Sequence, residues 1–139
     1  MNREYFQAIH EIITTGHWVT DEVTKALKSF GVTEPQYNVL RILRGAQGKP
    51  ITVGAILDGM VQRSSNITRI VDKLVAKEYA QRQECPTNRR KMDIVITTHG
   101  LKVLKQLDKK VEAFHQPFFD KLTPKELTTL QGLIVKLKS

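Results

Sequence analysis

The sequence predicts a mainly α fold with a small two- or three-stranded β wing: a winged helix-turn-helix domain flanked by N- and C-terminal dimerisation helices. Three observations predict it. Between Arg63 and Thr97 a polar helix start, an apolar-backed helix and two strand patterns around a basic segment follow in direct succession. On either side lie long helical periodicities with complete start signals. The 139 residues amount to one domain with a modest core, and no apolar run approaches the ~20 residues of a membrane span. The expected division is a winged region over 32–99 with dimerisation helices over 1–31 and 100–139.

Taken in order, Phe6, Ile9, Ile13, Val23, Leu27 and Phe30 fall near one helical stripe, interrupted at Gly16. A helix over residues 3–29 is about 40 Å long, more than a small winged domain can cover. Val32 to Tyr37 then opens a second helix: Thr33 caps it, Gln36 closes a capping box, and Val32 with Tyr37 forms a hydrophobic staple. A short helix capped by Thr52, with Ile56 and Leu57 inward, leads into a turn over 58–62 of helix-turn-helix length. Ser64 and Ser65 are the expected N-caps of the next helix. Its Ile67, Ile70, Val71 and Leu74 face a core, which leaves Asn66, Thr68, Arg69 and Lys73 outward.

Two strands follow over 81–84 and 92–97, where Met92, Ile94 and Ile96 alternate with Asp93, Val95 and Thr97. The segment between them is too long for a two-residue hairpin turn, so Arg89, Arg90 and Lys91 are expected at its tip. Leu101, Leu104, Leu107, Val111 and Phe114 mark another long helix ending near Pro117. A last helix begins at Thr123, with Pro124 at its first position, Glu126 closing the box and Leu122 stapled to Leu127.

The chemistry of the winged segment suits DNA. Asn bonds bidentately to adenine and Arg to guanine or phosphate, so the outward face of the helix carries major-groove donors, with Arg63, Ser64 and Ser65 at its entrance. Three adjacent cations repel one another unless phosphates or a narrow minor groove neutralise them. The net charge of +8 favours an anionic partner without locating the site. From 51 to 97, eight Lys/Arg stand against five Asp/Glu, a local excess of three. The distal apolar side of the first helix (Phe6, Ile9, Ile13) and the C-terminal stripe (Leu127, Leu130, Ile134, Leu137) need cover. A second copy supplies it; the alternative is a monomer whose terminal helices fold back on each other.

These residues resemble the multiple-antibiotic-resistance regulator (MarR) family of bacterial winged-helix repressors over nearly the whole chain. The likeness rests on Ile67 to Leu74, Arg82, Asn88-Arg89-Arg90, and Ile96-Thr97 followed by Gly100. It implies a two-fold dimer that sets two recognition helices in consecutive major grooves of double-stranded DNA. It also implies a pocket for a small aromatic or phenolic effector, to which His17, Trp18, Tyr37 and Arg41 are candidates, with Arg41 as a carboxylate clamp. Two departures stand out: the family carries Asp where this chain has Asn88, and favours Gly where it has Glu78. A left-handed C-cap is cheap for Gly and costly for Glu, so the helix is expected to end differently.

Other chemistry is thin. His10, His17, His99 and His115 lack the close spacing of a zinc site, so neither metal nor cofactor is expected. Cys85 is the single cysteine; it is either an oxidation sensor activated by Arg89 and Arg90 or a thiol with no sensing role. No hydrolytic motif or glycine-rich phosphate loop occurs, which argues against an enzyme. The expected location is the bacterial or archaeal cytoplasm, at the nucleoid, with no membrane contact. The reading is a DNA-binding transcriptional regulator; the alternatives are a protein-interaction module and a metal- or redox-responsive sensor on the same scaffold.

Overall fold

Two helices start where their capping signals place them, and these anchor the rest. In the computed structural model, which describes residues 2–60, 66–85 and 87–139 (side chains at 85 and 88–91 excepted), Thr33 and Thr123 each accept from the N3 backbone. Gln36 and Glu126 return the bond to the cap N–H. The resulting helices are α2 (Glu34–Gly45) and α6 (Pro124–Leu137). Before α2 runs α1 (Arg3–Lys28), which passes through Gly16 without a break. That corrects the expected interruption: one exposed glycine costs about 1 kcal/mol of helix propensity, too little to stop a 26-residue helix.

Between α2 and α6 come β1 (Ile51–Thr52), α3 (Val53–Gly59), α4 (Ile67–Ala76), β2 (Ala80–Cys85), β3 (Asn88–Ile96) and α5 (Thr98–His115), then a 3-10 turn at Gln116–Phe118. The sheet is antiparallel in the order β1-β3-β2, with Ile51 opposite Ile94 and Ala80 opposite Ile96. Thr52 caps α3 as expected, but the helix includes Asp58 and Gly59, so the turn begins at Met60, which is buried. The core gathers one face from each of α2, α3, α4 and α5 with the inner side of β3: Leu40, Leu43, Ile56, Leu74, Ile94, Leu104 and Leu107 are all fully buried. Leu101, placed on the inner stripe of α5 by periodicity, is exposed; Gly100 and Val103 take that face instead.

The end of α4 differs from expectation in the opposite direction. Glu78 does adopt the left-handed conformation, at φ 63°. Its N–H donates to the Val75 carbonyl and that of Tyr79 to Leu74, each at 2.9 Å, which is the Schellman arrangement. Tertiary bonds hold the strained residue: the Thr97 hydroxyl donates to the Glu78 carbonyl and the Thr97 N–H to the Tyr79 carbonyl.

Candidate nucleic-acid interface

The recognition-like helix α4 has one face buried and the other open. Ile67, Val71 and Leu74 are buried, whereas Asn66, Thr68, Arg69 and Lys73 are exposed. Arg69 and Lys73 form no ion pair among the described residues. The N-cap of α4 is Asn66, not Ser64 or Ser65: its Oδ1 accepts from the Arg69 N–H at 3.2 Å. Asn caps as well as Ser does, and starting the helix at Ile67 puts its first apolar residue straight onto the core. Asn66 therefore has its carbonyl oxygen committed to the helix and its amide N–H groups left for a partner. Arg63, Ser64 and Ser65 lie outside the described residues.

The wing is tighter than its sequence suggests. Cys85 pairs with Asn88 across a two-residue connection, with a register shift at Glu84/Cys85. That overturns the long loop: the register shift takes up three residues of β3, 89–91, between the pairs Glu84–Met92 and Cys85–Asn88, and pairing resumes next to the turn. Arg89, Arg90 and Lys91 are accordingly part of strand β3, between the turn and the core, rather than at a loop tip. Behind them Arg82 on β2 forms an ion pair with Asp72 on α4, tying wing to helix. Periodicity alone could not find this pair, because its partners sit on different elements ten residues apart.

The four effector candidates separate into two groups. Tyr37 is buried, its hydroxyl donating to Asp108 at 2.6 Å, and Arg41 lies 5.6 Å from its ring centre. Burial, and then the adjacent Asp108 carboxylate, push the Tyr37 phenol up to about 12. His17 and Trp18 are exposed on α1, where the Trp18 ring meets Phe114 and Phe118 edge-on at 5.4 and 5.1 Å. Of the expected interface residues, Phe6, Ile13, Leu127, Leu130 and Leu137 are exposed and Ile9 and Ile134 half-buried; α6 buries no residue at all.

The sequence model of the MarR family matches residues 30–91, from the α1–α2 turn into the wing. An HTH-type transcriptional regulator of Bacillus subtilis, YpoP, is 35% identical over 102 residues, covering 73% of this chain and 71% of that protein. This chain belongs to the MarR family. Among solved MarR structures, AbsC of Streptomyces coelicolor superposes with a TM-score of 0.86 at 22% identity, over 99% of this chain and 94% of AbsC. A mutant MarR of E. coli, complexed with operator DNA, gives 0.81 at 25% identity over 96% and 95% of the two chains. No helix among the described residues is long and apolar enough to cross a membrane.

Proposed function

We propose that this chain is a transcriptional regulator, a repressor, that binds a pseudo-palindromic operator as a homodimer through α4 and the β2–β3 wing. The observation that carries the reading is the solvent face of α4. Thr68, Arg69 and Lys73 stand exposed, with no ion pair among the described residues, on a helix whose other face is locked into the core. Donors projected from a helix fixed in this way suit base edges and phosphates. The operator-bound state of the E. coli MarR relative supports the same assignment by analogy. The exposed apolar residues of α1 and α6 supply the dimer surface in this reading, and two-fold symmetry sets the half-sites about one helical turn apart.

Selection of binding sites from random DNA tests it. Enrichment of an inverted repeat is expected; failure to enrich any site would instead favour a protein-interaction module. A small aromatic acid is the proposed effector, with Arg41 as its clamp, because Arg41 makes no ion pair among the described residues while the Tyr37 hydroxyl is already engaged. Such acids should displace operator from the wild type and not from Arg41→Ala.

A further inference from the structure

Asp108 of α5 is gripped by two side chains of α2. One carboxylate oxygen accepts from the Tyr37 hydroxyl at 2.6 Å, and the other is paired with the Arg44 guanidinium. Tyr37 and Arg44 are seven residues apart, two turns along α2, so they reach the same carboxylate from opposite directions. A displacement of α5 along the α2 axis in either sense stretches one of the two bonds. Beneath the clasp, Leu40, Leu104 and Leu107 are fully buried. Apolar packing of that kind holds two helices together but is non-directional, and it fixes their relative slide less sharply than a doubly anchored charge does.

We infer that Asp108 is a positioning residue for operator recognition: clasped by Tyr37 and Arg44, it fixes the winged head on α5 and thereby sets the half-site spacing the dimer accepts. The inference rests on the proposed operator-binding dimer. The exposure of the ion pair points the same way. The Arg44 and Asp108 side chains are 40% and 33% exposed, a setting in which an ion pair adds little to folding stability. What the clasp contributes is geometry. Two heads on one scaffold meet consecutive half-sites only if each is held at a fixed distance and angle.

The test uses the full-length protein and the inverted repeat selected as above, with the centre lengthened or shortened by one base pair. One base pair turns one half-site by about 35° relative to the other. Wild type should lose about tenfold in affinity on either change, comparable to a mismatched base pair. Asp108→Ala and Arg44→Gln should each lose less than about threefold on the same DNAs. Both should bind an isolated half-site as wild type does and keep its melting temperature within a few degrees. Variants with the wild-type spacing profile overturn the inference alone. So does equal loss of half-site binding in both variants, which would make the clasp merely structural. A wild type that binds no operator overturns the proposed function, and the inference with it.

Discussion

The hydroxyl of Thr97 donates to the carbonyl oxygen of Glu78 across 2.6 Å, joining the start of α5 to the end of α4. The Thr97 hydroxyl oxygen in turn accepts from the Gly100 N–H at 2.9 Å, so one side chain both caps α5 and holds the left-handed residue that ends α4. Thr97→Val keeps the shape and removes both bonds. It should cost about 1–2 kcal/mol in chemical denaturation, and a change within error would show that the cap is dispensable.

Glu78→Gly should raise stability. A non-glycine residue in the left-handed region is strained by about 1–2 kcal/mol, and glycine removes that strain at the cost of a more flexible unfolded chain. A net gain near 1 kcal/mol in thermal or urea unfolding is the expected result; a loss would mean that the Glu78 side chain contributes more than its backbone costs.

Gly16 and Gly100 should respond oppositely to alanine. At Gly100 an added Cβ would sit 2.1 Å from the Tyr79 carbonyl oxygen and 2.9 Å from Ile96, so the α5–β3 corner must open. Gly100→Ala is expected to cost about 3 kcal/mol or to prevent folding. At Gly16 nothing lies within 4 Å, and alanine should add about 1 kcal/mol. Melting curves of the two variants, measured side by side, decide both.

Stability should fall in alkaline solution. Because the Tyr37 phenol is raised from 10 to about 12 in the folded state, its contribution is complete below pH 10 and is lost as pH climbs from 10 to about 12. Ultraviolet titration of the folded protein should show a phenolate transition near 12 that Tyr37→Phe removes. Asp108→Asn should move it down only partway, since burial is the larger cause.

At Asn66, stability and recognition can be separated. Asn66→Asp and Asn66→Ser keep an N-cap acceptor, so α4 should remain as stable as in wild type. If the Asn66 amide reads a base edge, both should nevertheless lose about 1–3 kcal/mol at the selected site and relax preference at one position per half-site. Binding that stays wild-type in both variants assigns Asn66 to capping alone.

The legible parts of the chain were those decided by neighbouring residues. Thr33 with Gln36 and Thr123 with Glu126 encode their helix starts within four positions, and both formed. The apolar face of α4 was likewise readable from Ile67, Val71 and Leu74. What escaped depended on distant partners or competing local options. The pairs Asp72 with Arg82 and Arg44 with Asp108 join elements that no periodicity links. The cap of α4 went to Asn66 over two serines equally able to serve, because the core decides where Ile67 must sit. In the wing, loop length misled because a bulge at Glu84/Cys85 lets the ladder run past the basic residues.

Helix α6 has a complete capping box and not one buried side chain. A 14-residue helix so exposed is near the length at which isolated helices are marginal in water, so its persistence is set by whatever covers it rather than by the winged head. Its backbone amides thus act as an occupancy gauge. In hydrogen exchange they should lose protection on dilution while Leu40 and Leu104 keep theirs, and the concentration at which the two sets part company measures how tightly the covering partner is held.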